Sequence, residues 1–318
     1  MVTDADVLNL ARTHFPEKEV QKITDLGVWL RHTFKVQFED SSSVLYKFHV
    51  SPELNDGSVH EYRVTEILKY AGLPAAEILV VDISRSLTDE TFIVVAEGSG
   101  ERLDRIIKNH PVDSVSAAYY ALGAFYRKMH KIRAKKSGVW QDDPRKVIDL
   151  APNDLLFDNE IVLGSALKLA EKKIITDLTH QRIIDLWQQN LSYLRNHQAV
   201  MVHGSAFPWN VYLRKHHNSW EVTRTSALAD SLWWDAAYDV ALLIDPPFTW
   251  MFEEWRVAFW EGYGQKLDAR RLLLYRLLQI ISAVNDVFMQ PESPDNEPWK
   301  QMAINSIPQI IKSLEGQI

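Results

Sequence analysis

The stretch VMVHGSAFPWNVYL, residues 200–213, stops an apolar run at His203-Gly204 and returns to a strand-like run after Asn210. Asn210, and Asp230 at the end of SALAD, carry the hard oxygen donors that Mg²⁺ favours. Far upstream, Lys47 is the single cation in the otherwise apolar VLYKFHV, and Glu61 follows on the next predicted helix. A cation, a carboxylate to hold it and two oxygen ligands could together handle phosphate. Each also has a plain reading. Asn and Asp are common in turns, and Lys47 and Glu61 could face water. Ser205 stands just after Gly204, where a carboxylate base would be wanted, and a hydroxyl takes up a proton poorly at neutral pH. Nor is Ser205 a hydrolase nucleophile. The elbow pattern G-x-S-x-G fails, because the flanking positions hold His203 and Phe207.

These residues need elements to carry them. Residues 3–14 read as a helix capped by Thr3 or Asp4. Segments near 20–25, 30–38 and 43–50 read as strands, with EDSSS as a polar turn. GSVHEYRVTEILKYAGLP reads as an amphipathic helix with Val59, Tyr62, Ile67, Leu68 and Ala71 on its apolar side, ended by Gly72 and Pro74. AEILVVDIS and ETFIVVAEG read as two further strands. After Gly98-Ser99-Gly100 the character turns helical: ERLDRIIKNH, DSVSAAYYALGAFYRKMHKI, most of 165–196, and the chain beyond Asp245-Pro246-Pro247 apart from QPESPDNEP. The expected organisation is a β-rich lobe over 1–97 and a larger helical lobe over 98–318, with a ligand cleft between them.

Composition narrows the classes. The chain has 318 residues, enough for two lobes with sizeable cores. It has no cysteine, which removes disulfides, thiolate metal sites and cysteine nucleophiles. A net charge of −7 argues against a nucleic-acid partner. No apolar run approaches a membrane span and the N-terminal segment lacks a signal core, so a cytoplasmic protein without a membrane partner is expected. There is no G-x-G-x-x-G and no G-x-x-x-x-G-K-[ST], which excludes a P-loop NTPase. Oligomeric state is not legible.

The ordered set of motifs resembles the aminoglycoside phosphotransferase/choline kinase-like family, a branch of the protein-kinase-like fold. That family's loop reads H-G-D-x-x-x-x-N, followed by a strand ending in I-D and a segment near D-P-x-x-D-L-A. Here the matching residues are His203-Gly204-Ser205 with Asn210, ALAD ending at Asp230, and Asp235-Ala236-Ala237-Tyr238-Asp239-Val240-Ala241. LGAFYRKMHKI, with Ser137-Gly138 after it, resembles the family's helix ending in L-H-x-I. The resemblance covers nearly the whole chain.

It implies an α+β, two-lobed protein-kinase-like fold and an ATP- or GTP-dependent transfer of a phosphoryl group to a small-molecule hydroxyl. Lys47 then positions phosphates and Glu61 pairs with it, with Glu66 and Glu53 as fallback partners. Asn210 and Asp230 ligate Mg²⁺. His203 supports the loop, Asp235 orients it, and Asp239 caps the following helix or braces the loop. The adenine pocket is formed by Val94 and Val95 with the backbone of Ala96, Glu97 and Gly98, and Gly27 marks the phosphate-covering turn beside bulky Trp29. Ser205 departs from the pattern at the base position. The alternative is therefore a catalytically impaired, pseudokinase-like nucleotide-binding protein. His130 reads as a packed core residue. Trp209, Trp233, Trp234 and Trp250 read as packing or as an aromatic box for a cationic acceptor, and acidic residues of the large lobe suit an amine-bearing one.

Overall fold

The computed structural model describes residues 2–27, 32–49, 57–140, 147–149, 159–217, 219–245, 251–288 and 297–316. Trp29, Glu53, Trp250 and the tip of the expected phosphate-covering turn lie outside them.

The first helix, α1 (Asp4–His14), begins with a reciprocal cap. The Asp6 N–H donates to Thr3 Oγ1 and the Thr3 N–H donates to Asp6 Oδ2. Then come β1 (Val20–Asp25), β2 (Thr33–Phe38) and β3 (Ser43–His49), followed by α2 (Gly57–Tyr70), β4 (Ile78–Asp82) and β5 (Thr91–Ala96). The strands form one antiparallel sheet in the order β1-β2-β3-β5-β4. Strand periodicity divides its faces. Phe34, Val36 and Phe38 of β2, Val44, Tyr46 and Phe48 of β3, and Phe92 and Val94 of β5 pack against α1 through Val7, Leu10 and Ala11. The opposite face therefore carries Lys35, Leu45, Lys47, Ile93 and Val95. Both faces of β5 are covered, which accounts for its unbroken apolar run.

The remainder is mostly helical. β6 (Glu101–Arg102) leads into α3 (Leu103–Asn109) and α4 (Val112–Met129). β7 (Gly138–Trp140), β8 (Val147–Asp149), α5 (Asn159–Glu171) and α6 (Asp177–Arg195) follow. The stretch 165–196, read as mostly helical, is thus two helices, with a new N-cap at Thr176 whose Oγ1 accepts from the Thr179 N–H. β9 (Val200–Val202), β10 (Val211–His216), β11 (Ser219–Thr225) and β12 (Leu232–Trp234) frame the opening stretch. Finally come α7 (Ala236–Ile244), α8 (Glu253–Tyr263), α9 (Ala269–Phe288) and α10 (Glu297–Glu315). The short sheets run β8-β7-β12-β9 and β11-β10-β6.

Helices α4 and α8 meet at two glycines. A Cβ on Gly123 would fall 2.1 Å from the Phe259 carbonyl oxygen, and one on Gly262 would fall 2.0 Å from that of Tyr120. This near-contact of backbones anchors a core containing Tyr119, Leu122, Tyr126, Trp255 and Phe259.

The expected apolar side of α2 is corrected. Tyr62 and Ala71 are exposed, and the buried positions are Ser58, His60, Glu61, Val64, Thr65 and Leu68. The helix carries polar groups inward because it meets the cleft as well as the sheet.

Candidate active site

The site forms where β3, α2 and the β9–β12 segments converge. Alternation along β3 turns Lys47 to the inner face, where its Nζ lies 2.7 Å from Glu61 Oε1. The two side chains are 12% and 1% exposed, so each charge relies on the other for solvation it has lost. Glu66 pairs with Lys69 on the surface instead. Next to Glu61, His60 Nε2 lies 2.7 Å from the Ser231 carbonyl oxygen. That bond ties α2 to the turn carrying Asp230.

The opening loop is held from behind. Asp239 accepts the backbone N–H groups of His203 at 2.7 Å and Gly204 at 3.0 Å. Asp239 also lies 3.2 Å from His130 Nε2, and His130 Nδ1 lies 2.9 Å from the Tyr263 hydroxyl. His130 is therefore a polar strut behind the loop and not just core packing. Asp235 takes the capping role. It accepts the Ala237 N–H at 3.0 Å and pairs with Arg271 at 2.7 Å. The expectation that Asp235 orients the loop is thus corrected in favour of Asp239.

His203 is fully buried. Burial lowers its pKa, a shift only partly opposed by the charges of Asp239, Asp230 and Glu61. Its Nδ1 accepts the Ser205 N–H at 3.2 Å, so the neutral tautomer carries its proton on Nε2. A neutral, buried ring fits loop support.

Gly204 lies at φ +79°, and a Cβ there would meet the Asp230 carbonyl oxygen at 1.9 Å. The loop and the Asp230 turn are therefore in backbone contact. Pairing of Leu232 with Val202 and a 3.1 Å bond from Ser231 Oγ to the His203 carbonyl set that register. Asp230 itself is exposed at the lip. Asn210 Nδ2 donates to the Ser205 carbonyl at 2.8 Å and sits 3.4 Å from Ser205 Oγ. Its Oδ1 has a single long contact, to Ser226 Oγ at 3.4 Å. Among the described residues no carboxylate hydrogen-bonds to Ser205. None forms an all-protein metal cage either. Asn210 Oδ1 and the exposed Asp230 carboxylate are hard oxygen donors of the kind that would suit a Mg²⁺.

On the nucleotide side, Val95 faces inward opposite Leu45 and Val94 points away into the α1 core. Val94 is therefore removed from the expected pocket wall. The Ala96 N–H bonds the Glu77 carbonyl and the Glu97 N–H bonds that of Ser43. The Glu97 carboxylate pairs with Lys35 at 2.7 Å and accepts the Ser43 hydroxyl. Burial would raise its pKa, but the bonds from Lys35 and Ser43 outweigh this and lower it. Gly27 lies at φ +69° and donates its N–H to Asp25 Oδ1 at 2.7 Å, which shapes the end of β1. Arg224, which the sequence reading passed over, reaches across from β11 to the Ala96 carbonyl at 3.2 Å.

Two of the four tryptophans are core. Trp233 and Trp234 are 6% and 1% exposed. Trp209 is 36% exposed and stacks on Phe207, with centroids 4.5 Å apart and planes 6° off parallel.

A small antiparallel lobe with an inward Lys–Glu pair, joined to a helical lobe with a braced loop, defines a kinase-like phosphotransferase architecture. The chain belongs to the APH phosphotransferase enzyme family, whose sequence profile matches residues 23–273. Among solved structures it is similar to the GDP complex of wild-type aminoglycoside 2'-phosphotransferase-IIIa (TM-score 0.68, 12% identity, 98% of this chain and 99% of that one). It is also similar to ADP-bound aminoglycoside phosphotransferase APH(2'')-Ib (TM-score 0.64, 15% identity, 98% of both chains). A third likeness is the streptomycin–ATP–APH(2'')-IIa ternary complex (TM-score 0.63, 14% identity, 98% and 97%). These likenesses establish the fold. A search of the curated proteins finds no match. No helix among the described residues is long and apolar enough to cross a membrane.

Proposed function

We propose that the protein is a small-molecule kinase, transferring the γ-phosphoryl group of a Mg-nucleotide to a hydroxyl of a small, amine-bearing acceptor. The observation that carries this reading is the buried Lys47–Glu61 pair, tied through His60 to the Asp230 turn. Phosphoryl transfer depends mainly on positioning and charge neutralisation. Lys47, held extended by Glu61, receives the phosphates. Asn210 and Asp230 hold the metal, which neutralises phosphate charge when bound. Ser205 lies on the acceptor side and orients the hydroxyl by a hydrogen bond. The lobes divide at 97/98, the cleft between them takes the nucleotide, and the protein works in the cytoplasm.

A second reading is favoured by Ser205 itself. With no carboxylate at hydrogen-bond distance among the described residues, a general-base contribution of roughly 10²–10⁴-fold is forgone. The alternative is a nucleotide-binding protein with impaired transfer. Calorimetric titration with Mg-ATP and Mg-GTP tests the shared premise. Absence of heat and of thermal stabilisation at millimolar nucleotide defeats both readings. Incubation with a panel of hydroxylated amines then separates them, with rapid nucleoside diphosphate release coupled to acceptor phosphorylation ruling out impairment.

A further inference from the structure

Arg224 has an unusual place. It stands opposite Tyr212 in the β10–β11 ladder. The neighbours Val211, Leu213 and Val222 point down into the helical core. Two residues after Val222, Arg224 would share its face in a regular strand, but the ladder shifts register between Tyr212 and Leu213, and this bulge sets Arg224 over Tyr212 and toward the segment that links the lobes. The guanidinium carbon sits 3.9 Å from the centre of the Tyr212 ring. Nη1 donates to the Ala96 carbonyl at 3.2 Å. Gly98 lies alongside, where a Cβ would come 3.1 Å from Arg224 Cδ.

This is the arrangement a purine would adopt in the same cleft: a flat, π-bonded group lying over an aromatic floor and donating to a linker carbonyl. We propose that Arg224 fills the base pocket and that a purine enters by displacing its guanidinium. The inference rests on the nucleotide-binding reading above.

Three observations favour a displaceable plug over a simple brace. Arg224 is 6% exposed, yet its Nε has no partner among the described residues. A buried donor without a partner is a cost that displacing the side chain would relieve. The linker is already pinned to β11 one residue away, by the 2.9 Å bond from Thr223 Oγ1 to the Ser99 carbonyl. And the backbone N–H groups of Ala96 and Glu97 are both engaged in the sheet. The Ala96 carbonyl is thus a contact that arginine and base compete for. Nucleotide affinity is then reduced by the fraction of molecules in which the pocket is open.

The test compares wild type with Arg224→Met, which keeps an apolar stem but loses the planar donor. Displacing the guanidinium forfeits a hydrogen bond and a cation–π contact, so removal should tighten binding by about tenfold. Calorimetry should show this gain for adenosine as well as for Mg-ADP, because the plug concerns the base. Equal or weaker binding by the variant, with wild type binding normally, overturns the plug and leaves the nucleotide reading intact. A gain confined to phosphate-bearing ligands also overturns it. If neither protein binds any of these ligands, both readings fall together. Should Arg224→Met not fold, Arg224→Leu removes the same donor and charge with a shorter apolar side chain and serves the same comparison.

Discussion

The Asp239 carboxylate accepts the backbone N–H of His203 at 2.7 Å, across 36 residues of sequence. Its other oxygen takes the Gly204 N–H. The loop backbone is therefore fixed by one fully buried anion. Asp239→Asn keeps the volume but turns an amine toward one of those N–H groups. Charged hydrogen bonds contribute about 1.5–3 kcal/mol each, so a loss of about 3 kcal/mol is expected. Urea unfolding measures it. Amide exchange at His203 and Gly204 should accelerate more than global unfolding explains.

The Lys47–Glu61 pair makes a prediction with an internal control. Lys47→Met removes the cation from a buried ion pair, and breaking such a pair typically costs about 3–5 kcal/mol. The double variant Lys47→Met/Glu61→Met removes both buried charges and should recover much of the stability. It should not recover nucleotide affinity. Recovery of both would remove Lys47 from the phosphate site.

Two glycine-to-alanine changes should move stability in opposite directions. At Gly123 the new methyl would lie 2.1 Å from the Phe259 carbonyl and 2.8 Å from the Tyr263 nitrogen. Both are backbone atoms, so the helices must part, at about 1–3 kcal/mol or more. Helix propensity returns only about 1 kcal/mol. At Gly164 on α5 nothing lies within 4 Å of the new methyl, so the propensity gain stands unopposed. Melting temperatures of the two variants should fall on either side of wild type.

Acid should destabilise the protein partly through His203. Its folded pKa is lowered by burial from the ordinary 6.5. As pH falls through about 6.5, the unfolded chain takes up the proton while the folded chain resists it. Stability is thus held above that pH and lost below it, at up to about 1.4 kcal/mol per pH unit for one proton. His14, also lowered by burial, adds to the same slope. His203→Asn, whose side-chain oxygen can accept the Ser205 N–H, should flatten the slope between pH 6.5 and 5 without abolishing it. An unchanged slope would mean that His203 is protonated as easily folded as unfolded.

VLYKFHV alone leaves Lys47 free to face water, and only the family resemblance favours pairing it with Glu61, the contact that the inner face of β3 makes. The same logic could not separate Asp235 from Asp239. Both sit at the start of α7, and which one reaches back to the loop depends on the packing of β9 against β12. Arg224 was invisible for a similar reason. Its role comes from the β10–β11 register, which sets it over Tyr212 and beneath Ala96, and no local pattern encodes that. On α2 the apolar count misled, because the face that meets the cleft carries His60 and Glu61.

Ser205 is the most consequential single position. Its N–H, carbonyl and Oγ are all held by the loop, through His203 Nδ1 and Asn210 Nδ2. The side chain at this position is therefore aimed by the backbone and not by a partner acid. Ser205→Asp would bring a carboxylate to this position, with Asn210 Nδ2 nearby to donate to it. If transfer is limited by the missing base, turnover should rise by about 10²-fold or more. Nucleotide affinity should change far less, because in the proposed function this position serves the acceptor. A steady-state assay of acceptor phosphorylation, run with calorimetry on the same two proteins, separates these effects. Unchanged turnover in a well-folded Ser205→Asp protein would show that a loose transition state leaves little for a base to do. The serine would then be a tolerated substitution within a working kinase.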